Sequence, residues 1–251
     1  MNPTILFLTA MWKRRSIEHI TFSHLRRLAD KVSDRACVKF LAVGSEGDTS
    51  RYVAETYGFD YIEHPNSPLG SKWNALWNES LLMNADVRVI VGSDNIVPAS
   101  SIDEYLAMID LGLDFLGMEG CYMINPLKSQ GISFDGYCGE KQGKSVGGGR
   151  AYSAAFSKRI GESPFGDHLQ RGLDSSFQRS VDARCDHYAS KMLPPGDPSQ
   201  VMELKSEINM WHIENFTKGV NNLFTNIGYG ECLSLIDQTE TLSMVRLLES
   251  P

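Results

Sequence analysis

The run from Val87 to Ile96, Val-Arg-Val-Ile-Val-Gly-Ser-Asp-Asn-Ile, is a short apolar strand that ends in small residues carrying one carboxylate, Asp94. In open α/β sheets ligands gather beyond the carboxyl ends of the strands, so a carboxylate just past a buried strand faces the binding crevice. Hard divalent ions such as magnesium and manganese bind through one or two carboxylates plus substrate phosphates, and Asp94 is placed for that use. Gly-Ser-Asp-Asn also favours a plain turn running into a helix cap, and on residue type alone both readings stand. A second group is Lys72, within Pro68-Leu-Gly-Ser-Lys-Trp-Asn74, where a rigid loop opens a helix. Helix starts present free N–H groups and the positive end of the dipole, which favour a phosphate and disfavour a lysine that has no anion to meet. Gly147–Gly149 lets backbone approach a ligand closely, with Arg150 following at once. Asp174, in Gly172-Leu-Asp-Ser-Ser176, opens another helix and suits a cap there equally well.

These residues need a frame, and the apolar pattern supplies one. Thr4 to Thr9 is a predicted buried strand, and Ser16 to Lys31 a helix with Ile17, Ile20, Leu25 and Leu28 on one face. Cys37 to Val43, Phe59 to Glu63 and Val87 to Val91 are further strands, separated by helices over Ser50 to Tyr57 and Ser71 to Met83. Such alternation predicts a mostly parallel α/β sheet with helices on its faces. Leu113 to Met118 reads as one more strand. Gly131 to Gly149 reads as a glycine-rich stretch that shapes an acceptor region, and Gly147 to Ser153 leads into a small-residue helix. Gly172 to Cys185 is a helix, Val201 to Phe216 mixes strand and turn signals, and Thr239 to Glu249 is a terminal helix.

The 251 residues, 42% hydrophobic and 22% charged, have the composition of an ordinary globular protein. No stretch approaches the roughly 18 apolar residues of a membrane span, and no basic region precedes the first apolar run, so a cytoplasmic protein is expected. Five cysteines without a C-x-x-C pair argue against a disulfide framework or zinc site. The net charge of −7 gives no general attraction to nucleic acid, although Lys13, Arg14 and Arg15 cluster locally.

Read in order, the chain resembles the GT-A glycosyltransferases, in particular the inverting family 2 type that uses a nucleotide-diphosphate sugar. The likeness rests on Thr9-Ala-Met-Trp-Lys-Arg14 after the first strand, Gly58-Phe59 with Pro65-Asn-x-Pro-Leu-Gly-x-Lys-x-Asn74, and Gly92-Ser-Asp94. Gly148-Gly-Arg-x-Tyr-Ser153, Leu173-Asp-Ser175 and the late His212 extend it across residues 4 to 216. The chain departs from the family's Asp-x-Asp in having Gly92 at the first position. The resemblance implies one GT-A domain, residues 1–117 binding the nucleotide sugar and 118–251 the acceptor and catalytic groups. It implies a divalent metal, manganese or magnesium, held by Asp94 and His212, and Asp174 as general base. It places a nucleotide sugar, commonly uridine-linked, against Thr9, Ala10, Trp12, Arg14, Glu46, Lys72, Asn74, Ser93 and Arg150. The implied acceptor is a hydroxyl, on a saccharide or on a hydroxymethylated base of bacteriophage DNA. In the DNA case Lys13, Arg14, Arg15, Lys141, Lys144 and Arg150 should form one basic face, in a bacterial cell or phage-infected host. The alternatives are a nucleotidyltransferase that makes sugar nucleotides, and a non-catalytic sugar-nucleotide-binding protein.

Overall fold

The computed structural model describes residues 2–205, 213, 224–226 and 229–234. Strand β1 (Thr4–Ala10) divides its side chains between two cores, Ile5 and Phe7 on one face of the sheet and Leu6 and Leu8 on the other. A strand buried on both faces shows no polar alternation, hence its continuous apolar run. Helix α1 (Arg15–Lys31), β2 (Cys37–Gly44), α2 (Asp48–Thr56), β3 (Asp60–Glu63), α3 (Leu69–Leu82) and β4 (Val87–Ile90) follow. Each lies within two residues of its expected bounds. Strands β4, β1, β2 and β3 run parallel side by side.

Strands β6 (Phe115–Met118), β9 (Arg150–Ser153) and β10 (Ser190–Leu193) extend this to seven strands in the order β10-β6-β9-β4-β1-β2-β3, with β9 antiparallel to both neighbours. The molecule is thus an α/β fold around a mostly parallel sheet flanked by helices. Phe22 of α1, Val53 of α2 and Tyr105 of α4 (Ala99–Asp110) pack on one face. Trp77 of α3, Phe156 of α5 (Ala154–Ile160) and Phe177 of α6 (Leu173–Arg184) pack on the other. Rings dominate both layers: Phe59 stacks between Phe22 and Phe40 at 4.2 and 4.5 Å, and each such buried side chain contributes about 1.5–3 kcal/mol.

The second half differs from expectation. A five-stranded sheet, β12-β8-β7-β11-β5, is built from β5 (Asn95–Ile96), β7 (Cys121–Asn125), β8 (Gln130–Phe134), β11 (Met202–Leu204) and β12 (Phe224–Asn226). Strand β8 occupies the start of the stretch read as glycine-rich, and α4 was not foreseen. The small-residue helix after Gly147 to Ser153 is α5, starting at Ala154 as expected, while Arg150–Ser153 is drawn into the first sheet as β9. Helix α7 (Tyr229–Ser234) packs on the second sheet. The predicted helix over Thr239 to Glu249 lies outside the described residues. Among those residues no helix is long and apolar enough to cross a membrane.

Candidate functional site

The carboxyl ends of β1 and β4 open onto a cleft made of adjoining cavities. A cavity of about 620 Å³ is walled by Ala10, Trp12, Arg14, Asn66, Lys72 and Trp73. It shares Gly92, Leu69, Trp73 and Gln170 with a second cavity of about 300 Å³ that holds Asp94, Asn95, Gly147, Asp174 and Glu203. The second in turn shares Gly147, Asp174 and Glu203 with a third, of about 310 Å³, lined by Cys121, Met123, Phe134, Tyr137, Phe224 and Lys205.

The loops around the large cavity are tied together by buried charges. Lys72 is fully buried, and its ammonium donates to Met11 O at 2.5 Å, Ser45 Oγ at 2.5 Å and Asn66 Oδ1 at 3.1 Å. An ammonium has three protons, so these partners use them all. Burial, only partly offset by Glu18, Glu46 and Glu63, lowers its pKa to about 8. Glu46 accepts from Lys13 N at 2.8 Å and Glu18 from Trp12 N at 3.1 Å, which fixes the β1 loop from both sides. Burial raises the Glu18 carboxyl to about 7 despite the opposing Arg14 charge.

The start of α3 was expected to offer free N–H groups to an anion. The structure corrects this: Leu69 N donates to Gln170 Oε1, Gly70 N to Leu169 O and Ser71 N to Asp167 O. The loop before α6 therefore caps α3. Asn74 joins the same tie, donating to Phe165 O at 2.9 Å and accepting from Phe165 N at 2.9 Å. Lys72 and Asn74 thus hold the cleft's shape, and Lys72 presents only its position to the large cavity. Thr9 is buried with its hydroxyl unpartnered and lines none of the three cavities.

Asp94 lies in the middle cavity because Gly92-Ser-Asp-Asn folds on itself, with Gly92 N donating to Asn95 Oδ1 at 2.7 Å and Asn95 N to Gly92 O at 3.1 Å. Arg14 donates to Asp94 Oδ2 at 3.0 Å and to Ser93 Oγ at 2.8 Å. Lys205 Nζ stands 3.9 Å from the same Asp94 oxygen and 2.5 Å from Glu203 Oε2. Burial pulls the Lys205 pKa down, but the Glu203 and Asp94 carboxylates outweigh it and keep the ammonium charged. Glu203 and Lys205 were not singled out from sequence, although their i, i+2 spacing at a short strand puts both on one face.

A divalent ion was expected on Asp94 and His212. His212 lies outside the described residues, and among those residues no group of three or more histidine, cysteine or carboxylate side chains converges on a metal position. Arg14 and Lys205 flank Asp94, and Glu203 in the same cavity is paired with Lys205, so cations and carboxylates alternate around it.

Asp174 is the second residue of α6, whose cap position is Gly172 and whose start receives no side-chain cap bond. The carboxylate points instead at Gly147, where an added Cβ would lie 2.7 and 2.9 Å from its two oxygens. Absence of a side chain at Gly147 is what admits it. Arg150, expected to reach phosphate or acceptor, is buried and donates to Val146 O at 2.6 Å and Ser145 O at 2.8 Å. Its Nη2 is 3.8 Å from Asp174 Oδ1, so it fixes the loop in front of Asp174 and sets a positive charge behind it. Beyond Asp174 the third cavity is aromatic, with Phe134 about 5.0 Å centroid to centroid from both Tyr137 and Phe224.

The basic face expected for a DNA acceptor is not supported, since Arg14 and Arg150 are committed within the protein.

No family model and no curated protein matches the chain. Solved structures do share its fold. TarS residues 1–349 from S. aureus superposes with TM-score 0.54 at 13% identity over 81% of this chain, and in complex with UDP-GlcNAc with TM-score 0.55 at 13% identity over 99%. The chain spans 60% of the first and 72% of the second. An inositol-1-phosphate CTP transferase from T. maritima gives TM-score 0.53 at 12% identity, covering 99% of this chain and 97% of that one. At such identities the likeness shows the architecture alone, an α/β fold around a mostly parallel sheet.

Proposed function

We propose that the chain is a glycosyltransferase that moves a sugar from a nucleotide diphosphate to a saccharide hydroxyl with inversion. The observation that carries this reading is the position of Asp174 in the wall shared by the middle and third cavities, with Gly92 joining the middle cavity to the large one. One continuous path thus leads from the large cavity, past Asp94 and Asp174, to the aromatic third cavity. The nucleotide occupies the large cavity against Ala10, Trp12 and Arg14, the sugar lies over Gly92 and Gly147, and the acceptor ring rests against Tyr137 and Phe224. Asp174 takes the acceptor's hydroxyl proton, the freed oxygen forms its bond to the anomeric carbon, and the bond from that carbon to the diphosphate breaks. The nucleoside diphosphate leaves with its electron pair. Residues 1–117 supply the nucleotide chamber in this reading, and 118–251 supply the base and acceptor wall.

The test is a panel of nucleotide sugars, uridine-linked first, assayed for nucleoside diphosphate release with oligosaccharide acceptors. Release from at least one donor, lost in Asp174→Asn while donor binding persists, supports the reading. Pyrophosphate release from a nucleoside triphosphate and a sugar 1-phosphate would replace it with nucleotidyl transfer, and donor binding without turnover with a non-catalytic binding protein.

A further inference from the structure

The third cavity changes character from one side to the other, and the change falls along the sheet that floors it. Building on the proposed function, we infer that the acceptor is a saccharide bearing a ring-sized apolar aglycone, and that the third cavity receives this group while the reacting hydroxyl meets Asp174.

The floor is one face of the second sheet. Cys121, Phe134 and Phe224 stand opposite one another across β7, β8 and β12, and Met123 follows Cys121 by two residues on the same face. On the other side of β7, Glu203 of β11 is the partner of Met123 and pairs with Lys205. The face thus passes from a charged pair at β11, through a thioether and a thiol on β7, to rings on β8 and β12. Val146 and Tyr137 complete the wall from the loops. The charged side is the one shared with the middle cavity, through Asp174 and Glu203. Burial raises the pKa of the Cys121 thiol and, with Asp174 adding to it, that of the Tyr137 phenol, so both stay uncharged.

Size and polarity then limit the occupant. At about 310 Å³ the cavity has about twice the roughly 150 Å³ that takes a benzene-sized guest, so a sugar ring leaves room for a second group of ring size. A sugar carries hydroxyls around its whole edge. Those near Asp174, Glu203 and Lys205 find polar partners. Further in, apart from the Tyr137 phenol, the side chains of the described residues offer only carbon and sulfur, through Cys121, Met123, Phe134, Val146 and Phe224. A hydroxyl placed there would give up water without a replacement bond, whereas an apolar group gains by burial. Phe134, with its centroid 5.0 Å from those of both Tyr137 and Phe224, offers ring surface on which an aryl group packs.

The experiment compares acceptors that differ only in the aglycone: methyl, phenyl and n-hexyl β-glycosides of glucose, galactose and N-acetylglucosamine, assayed with the full chain and the nucleotide-sugar panel. For at least one sugar, the phenyl or hexyl glycoside should have a KM about tenfold or more below that of the methyl glycoside, with kcat within about threefold. Phenyl ahead of hexyl identifies an aromatic aglycone and the reverse a lipid-like chain, and either supports the inference. Met123→Gln and Val146→Thr each put a polar group into the carbon-lined wall and should narrow the KM gap to within about threefold. The methyl glycoside should keep its KM in both, with circular dichroism confirming the fold. A gap that survives in both variants places the apolar group elsewhere and overturns the inference. Equal KM values for the three glycosides in the native chain also overturn it, leave the proposed transfer standing, and need no variant to be read. Transfer to none of the glycosides from any donor overturns both.

Discussion

The large cavity and the third cavity are built on opposite principles. Around the first, the loops are tied to one another by polar bonds, as Lys72 is to Met11, Ser45 and Asn66, and Ser67 to Gln170. Around the third, ring faces and a methionine supply the surface, and the polar groups Asp174, Glu203 and Lys205 sit at one edge. A cross-linked polar chamber holds its form before a charged ligand arrives, whereas an aromatic chamber selects by shape and face. In the proposed reading the nucleotide takes the first and the acceptor the second, with the chemistry at their junction.

The sharpest way to test that division is to disable the junction alone. Asp174→Asn should lower turnover by about 10²–10⁴-fold, the usual worth of a general base, while nucleotide affinity stays within about twofold. Loss of both together would mean that the chambers are not separate. Breaking the polar chamber instead, Lys72→Met leaves Met11 O, Ser45 Oγ and Asn66 Oδ1 without their shared donor inside the protein. We expect a loss of about 2–5 kcal/mol in urea unfolding together with weaker nucleotide binding. Gly147→Ala presses on the Asp174 carboxylate, and a displacement of this kind should cost about 10–100-fold in turnover with little change in melting temperature.

The smallest effect concerns pH. The folded protein keeps the Glu18 proton up to about pH 7, above its usual 4.5, so the folded state binds more protons between those values. This contribution to stability is fully present below pH 4.5 and is lost as pH rises through 7. Melting temperatures across that window should fall less steeply in Glu18→Gln than in the native chain, and equal slopes would remove the burial argument.

The first half of the fold was legible because β1, β4 and the end of β2 are buried on both faces and the helices between are amphipathic, so apolar runs and turns mark the boundaries. The second half hid its sheet: β7 and β8 are short strands buried almost throughout, adjoining glycine-rich segments, and neither gives a period-two signal. Helix α4 opens on Pro98-Ala-Ser-Ser, a turn-like start, and shows its apolar spacing only in Ile102, Tyr105 and Met108. At the site, the carboxyl end of β4 was enough to bring out Asp94 as a candidate, and the family resemblance to bring out Asp174. Their partners were not readable, since Arg14 lies 80 residues from Asp94 and the capping of α3 comes from a loop about a hundred residues away. Lys72 shows the limit clearly. Its place at a helix start implied an anion, while the bonds that use its protons come from loops that meet only in the folded chain.

The capping of α3 by the loop before α6 has a consequence for how the cleft can open. The amide protons of Leu69, Gly70 and Ser71 are held by Gln170, Leu169 and Asp167 of the loop before α6 rather than by their own helix. Their exchange with deuterated solvent therefore reports on a single event, the parting of α3 from the segment that carries Asp174. A bound molecule bridging the two sides would slow these protons together, and one seated wholly within the large cavity would leave their rate nearly as it was.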